Sequence, residues 1–91
     1  MKLEELRIEL DKIDDEILEL LVKRFELTQQ VGEFKANNKM PVVAPDREKE
    51  IFDRLRSKTA SAGLEPEMTQ KIWRAIIDEV VVNHKRLKAD D

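Results

Sequence analysis

The sequence predicts an all-α fold of three helices, the first much longer than the other two. Three observations carry that expectation. Apolar residues step by four and three through the first third of the chain, with no proline to interrupt them. Charged residues make up 41% of the chain and aromatics 4%, against about 25% charged in an ordinary domain. Two glycines and three prolines punctuate 91 residues, a composition suited to long solvated helices rather than to a sandwich or barrel. The length fits one domain spanning 1–91, near the size at which a single core is only marginally stabilising. There is no internal repeat and no low-complexity segment.

The first helix is expected over Leu3 to Asn37. Leu6, Leu10, Ile13, Ile17, Leu20, Leu27, Val31 and Phe34 form one apolar seam of the kind that packs helices together. About 35 residues at roughly 1.5 Å each give a rod of about 50 Å. A compact globule of this chain length has a radius of gyration near 12 Å, so the rod overshoots the body its own chain can build. The remedy is a second copy, and a homodimer with its long helices packed antiparallel or crossing is expected. Gly32 costs up to ~1 kcal/mol relative to alanine inside a helix, which points to the close approach of a neighbour or ligand.

Asn37, Asn38 and Pro41 end this helix, and Asn38 to Ala44 reads as a loop expected to close over a bound ligand. Pro45 and Asp46 suit the start of a second helix, with φ fixed and an acid in the first turn. It carries Ile51, Phe52 and Leu55 on one side and ends by Ser61–Gly63. Glu65-Pro66-Glu67 opens a third helix running to about Lys88. Its apolar arc is broad (Met68, Ile72, Trp73, Ala75, Ile76, Ile77, Val80, Val81), which requires more than one neighbouring helix. The tail from Ala89 to Asp91 is expected to fray.

A net charge of −3 with acids and bases interleaved argues against a nucleic-acid binder, which needs a basic surplus or stripe. Cysteine is absent, so there is no disulfide frame, thiol nucleophile or thiolate metal site. The start MKLEELRIEL is unlike a signal peptide, and no stretch approaches the ~20 apolar residues of a membrane span. A cytoplasmic protein with neither membrane nor nucleic-acid partner is the expectation. The chain also lacks a Ser/His/Asp pattern, a Gly-rich phosphate loop and HExxH, and one histidine cannot make a His-rich metal site.

What it has instead is cations in and beside the core. Arg24 takes a seam position between Leu20 and Leu27, where an apolar residue is due. Arg7 and Lys35 each lie one residue past a seam position, and Arg47-Glu48 falls in the first turn of the second helix. An arginine in a seam is costly unless its charge is met. Taken singly, Arg24 could pair with an acid on a facing helix, Arg7 and Lys35 could be solvated flanks, and Arg47-Glu48 an ordinary surface pair. Their number tips the reading. Several cations converge on a core with few internal anions, so an anionic ligand is the simplest missing partner, and a dicarboxylate fits. His84 falls inside the apolar arc of the third helix, between Trp73 and Ile77, where a neutral core histidine is the plain alternative.

The order and spacing Arg7, Arg24, Lys35, Arg47-Glu48 closely resembles the all-helical class of chorismate mutases. The likeness covers about residues 3–88 and includes the opening LRIELDKIDDEILELLVKR, the segment VGEFKA and the start PDRE. It implies an intertwined homodimer acting without metal or cofactor on the dicarboxylate chorismate, converting it to prephenate on the route to aromatic amino acids. Arg24 and Arg47 would hold the substrate, and Arg7 would reach into the partner's site to bind the second carboxylate. Lys35 would donate to the ether oxygen, and Glu48 would accept from the ring hydroxyl. Three positions depart from the family's pattern. His84 stands where a glutamine or glutamate is usual, Val80 where serine is common and Ala44 where aspartate is common. The resemblance implies that His84 takes the place of the second donor to the ether oxygen; it could donate as a neutral N–H or, more strongly, as an imidazolium, and a rate gain on its protonation is expected. An isochorismate pyruvate-lyase, a 4-amino-4-deoxychorismate mutase and a catalytically silent helical dimer remain as alternative readings.

Overall fold

The computed structural model describes residues 1–89 and contains three helices: α1 (Leu3–Asn37), α2 (Pro45–Ser61) and α3 (Pro66–Ala89). All six helix ends fall within a residue or two of those expected. Ala89, expected in a frayed tail, is helical; Asp90 and Asp91 lie outside the described residues.

Each helix begins and ends for local reasons. Glu4 and Glu5 sit in the first turn of α1, and Lys35 in its last, so fixed charges oppose the helix dipole at both ends. The stop is a Schellman turn: the Met40 N–H donates to the Lys35 carbonyl at 2.8 Å and the Lys39 N–H to the Ala36 carbonyl at 3.3 Å. Lys39 occupies the left-handed position of that turn, at φ 54°. The end of α2 repeats the motif with glycine in that place. Gly63 has φ 76°, its N–H reaches Ala60, and the Leu64 N–H reaches Thr59, both at 3.1 Å. Pro45 opens α2 with Asp46 and Glu48 in the first turn. Its N-cap, Ala44, offers no side-chain acceptor.

α3 is the hub. It packs against α1 on one side and α2 on the other, while α1 and α2 form no helix–helix contact. Thr69, Ile77 and His84 are its buried residues, and their spacing of eight and seven keeps them on one stripe. Contact on two sides is as expected, but of the expected apolar arc only Ile77 is buried, while Met68, Ile72 and Ala75 are exposed in the chain alone. α1 meets α3 closely at Gly32, the buried residue of α1. A Cβ built there would lie 2.6 Å from His84 Cδ2, 2.8 Å from His84 Nε2 and 2.8 Å from Leu87 Cδ1. The expected close approach is therefore that of α3 and its histidine.

Most of α1 has nothing against it. Every residue from Met1 to Leu20 is exposed, and all eight apolar seam residues are 45–63% exposed. Ile77 is the one buried apolar side chain among the described residues. The chain measures 54 × 25 × 15 Å with a radius of gyration of 16.4 Å, well above the ~12 Å of a compact chain this long. No described helix is long and apolar enough to cross a membrane.

Gly32→Ala gains helix propensity but drives a methyl into the imidazole and Leu87, and overpacking of this kind costs about 1–3 kcal/mol. The variant is expected to melt below the wild type in a thermal or urea titration. A higher midpoint would show that α3 can retreat from α1 without cost.

Candidate active site

Where α1, α2, α3 and the loop 38–44 come together lies a cavity of about 160 Å³. Arg24, Thr28 and Lys35 face it from α1, Arg47 and Glu48 from α2, and His84 from α3. Ala44 and Val80 also line it, so seven of the eight positions singled out in the sequence share one cavity. The eighth does not. Arg7 lies in the uncovered first half of α1, about 25 Å from Arg24 along the helix axis.

The polar groups stand in an apolar frame. Val31, Val42, Ile51, Ile77 and Val81 supply the remaining walls, and such walls strengthen any interaction between the cations and a bound anion. Arg24 is the most constrained of the cations. Its Nη1 is buried and has no hydrogen-bond partner. Desolvation first, and then the nearby Arg47 charge, hold its pKa below the ordinary guanidinium value. An arginine nonetheless stays protonated at neutral pH. The ion pair with a facing acid, the plain alternative for Arg24, is absent among the described residues. A buried guanidinium N–H without an acceptor, next to a like charge, is a favourable place for an anion.

The other groups are held by specific partners. Lys35 Nζ donates to the Val42 carbonyl at 3.1 Å, which pins the loop to the end of α1 and leaves two ammonium N–H groups uncommitted. Arg47, on the exposed rim, pairs with Glu50 at 3.3 Å. Glu48 Oε1 accepts from Arg74 Nη1 at 3.0 Å. His84 Nε2 lies 2.7 Å from the Thr28 carbonyl oxygen. A carbonyl can only accept, so Nε2 carries the proton and Nδ1 is the nitrogen left for a ligand. In the neutral ring Nδ1 is an acceptor; it becomes a donor only when the ring is protonated. The alternative of a core histidine is thus half right. His84 is buried at 5% exposure with a satisfied nitrogen, yet it also faces the cavity.

Sequence reasoning missed three participants. The Val42 and Thr28 carbonyls are backbone groups that no residue type announces. Arg74 reads as one more charge on the outer face of α3, and its role depends on how α2 lies across that helix.

A small cavity rich in fixed donors, bounded by three helices and holding an unmatched guanidinium, has the charge and the walls to suit an organic anion. Comparison with known proteins agrees. Residues 6–85 match the family model described as chorismate mutase type II, and the chain belongs to that family. It is 39% identical over 90 residues to a bifunctional chorismate mutase/prephenate dehydratase of Aquifex aeolicus, covering 96% of this chain and 25% of that protein. It is 35% identical over 77 residues to a chorismate mutase of Methanocaldococcus jannaschii, covering 85% of this chain and 78% of that one. With a 4-amino-4-deoxychorismate mutase of Streptomyces venezuelae it shares 27% over 96 residues, 99% of this chain and 93% of that protein. The chain thus spans about a quarter of the length of its Aquifex relative.

Arg24→Met removes the orphaned donor and its repulsion with Arg47 while keeping the aliphatic stem. The expected outcome is a gain in stability of about 1 kcal/mol, since an unsatisfied buried polar group carries a penalty of that order. The same variant should lose the rise in melting temperature that a dicarboxylate ligand gives the wild type. Differential scanning fluorimetry with and without ligand reads both effects.

Proposed function

We propose that this chain is a chorismate mutase, converting chorismate to prephenate by an intramolecular Claisen rearrangement and acting as a homodimer in the cytoplasm. The observation that carries the proposal is the unpartnered Arg24 Nη1 in a cavity shared with Lys35, Arg47 and Glu48. Family membership supports it. One C–O bond breaks as one C–C bond forms within a single molecule, so no nucleophile or leaving-group acid is required. The protein has to hold a flexible dianion folded and stabilise the negative charge that grows on the ether oxygen.

These residues suit both tasks. Arg24 and Arg47 bind carboxylate, and a guanidinium fork fixes direction as well as charge. Lys35, oriented by the Val42 carbonyl, directs its free N–H groups toward the ether oxygen. A fixed donor there stabilises the transition state more than the ground state. Glu48 accepts from the ring hydroxyl. His84 adds a second donor through Nδ1 once the ring is protonated, because Nε2 is committed to Thr28. The Asn38–Ala44 loop closes over the bound substrate, anchored through Lys35.

The dimer follows from the exposed seam. Burying a leucine, isoleucine or phenylalanine side chain is worth about 1.5–3 kcal/mol, and the eight seam residues are uncovered in the isolated chain. A second α1 packed along this seam covers them and brings a partner copy's Arg7 toward the cavity, completing the carboxylate clamp. The single chain supplies every other member of the set.

Purified protein is expected to convert chorismate to prephenate, followed by loss of chorismate absorbance and by product chromatography. Pyruvate and salicylate from isochorismate, with little prephenate, would move the assignment to a lyase. Lys35→Met should lower kcat by about 100-fold or more, the usual effect of deleting a donor to a developing oxyanion, with a smaller change in KM.

Subunit sharing has its own test. Arg7→Ala and Arg24→Met chains, each inactive alone, should recover about a quarter of wild-type activity after mixing and refolding. Half the dimers are then mixed and each carries one intact site. No recovery would place Arg7 outside the partner's site.

A further inference from the structure

Arg74 lies outside the cavity and has no part in the mechanism above, yet it holds one of the cavity's residues. Its Nη1 donates to Glu48 Oε1 at 3.0 Å. Its guanidinium carbon stands 4.6 Å over the centre of the Phe52 ring, one turn along α2 from Glu48. A third partner, Asp78 Oδ1, lies 3.6 Å from the same nitrogen. The guanidinium is thus seated by an aromatic face from α2 and a carboxylate from its own helix. Glu48 is the less exposed partner of the pair, at 22% of its side chain against 47% for Arg74.

The cavity explains why such a clamp matters. Glu48 is the one carboxylate on its wall, which it shares with Arg24, Lys35 and Arg47. Arg24 Nη1 has no acceptor. A flexible glutamate beside an unmatched, desolvated guanidinium has a low-energy alternative, which is to swing inward and satisfy it. That rearrangement would place an internal anion where the ligand's carboxylate belongs. The pair with Arg74 offers Glu48 a competing cation on the opposite side, with its position fixed by Phe52.

We infer that Arg74 is a positioning residue that holds Glu48 off the cavity cations, so that Glu48 does not compete with an anionic ligand for them and its Oε2 is free to accept from that ligand. The inference rests on the anion-binding reading of the cavity. It predicts a binding defect, because a retracted Glu48 no longer competes and a released one does.

The test is a double-mutant cycle on Arg74→Met and Glu48→Gln, read as the dissociation constant for glutarate by thermal-shift titration and as KM and kcat for chorismate. In the chain with Glu48, Arg74→Met should raise the glutarate constant and KM about tenfold, the size of one hydrogen bond to a charged group, with a smaller change in kcat. In the Glu48→Gln chain the same substitution should change neither, since glutamine carries no charge to compete. Arg74→Lys, which keeps a cation within reach, should restore most of the affinity. Equal effects in the two backgrounds, or none in either, would overturn the inference. So would a wild type that does not bind glutarate. A wild type that binds glutarate but does not turn over chorismate would defeat the proposed reaction and leave the cycle to be read on binding alone. If Arg74→Met does not fold, Phe52→Leu replaces it in the cycle. Loss of the ring under the guanidinium should then raise the constant about threefold, again only with Glu48 present.

Discussion

The site depends on how closely α3 approaches α1 at Gly32. α1 and α2 form no helix–helix contact, so Arg47 and Glu48 reach Arg24 and Lys35 only because both helices are docked on α3. The seating is set by an absent side chain and two hydrogen bonds, one of them from Asn83 Nδ2 on α3 to Gln29 Oε1 on α1 at 2.7 Å. Gly32 leaves room for the His84 ring, and His84 Nε2 donates to the Thr28 carbonyl at 2.7 Å. A helical carbonyl already engaged along its own axis has a second lone pair. That lone pair can be reached here because the residue one turn later has no Cβ. That contact helps to fix the spacing of the two helices and sets the direction of the histidine.

The charge arrangement opposes stability. Three cations and one carboxylate face a cavity with apolar walls, Arg24 keeps an unmatched donor, and the carboxylate is turned toward Arg74. A chain selected for stability alone would place a leucine at position 24 and close the seam. Keeping a cation there costs stability, and in the proposed function a bound anion would offset that cost. Donors fixed in this way need no reorganisation during reaction, the condition under which electrostatic stabilisation of a transition state is most effective.

Legibility in the sequence followed the physics of each feature. Periodicity located α1 and exposed Arg24 as a charge in an apolar position, because both are properties of one helix considered alone. Proline and the acids after it marked the starts of α2 and α3, again locally. His84 could be assigned to the apolar arc of α3, but its partner could not be named, since a backbone carbonyl carries no residue signature. Arg74 was passed over for a related reason. Its significance lies in the crossing of α2 over α3, and its position on the helix wheel is that of a solvated charge. The stop after α1 falls between these cases. Asn37, Asn38 and Pro41 announced it, whereas the left-handed residue proved to be Lys39, a type with no preference for that conformation.

The uncovered first half of α1 has a consequence for how such a chain can change. With Ile77 as the one buried apolar side chain among the described residues, there is little internal core to absorb a substitution. In the proposed pair, each seam residue meets the same surface it belongs to, and any replacement is felt twice, once from each copy. A mismatch that one chain could accommodate is doubled, and so is an improvement. Sequence drift along α1 should therefore proceed by compensating exchanges between positions far apart on a single helix but adjacent across the twofold axis.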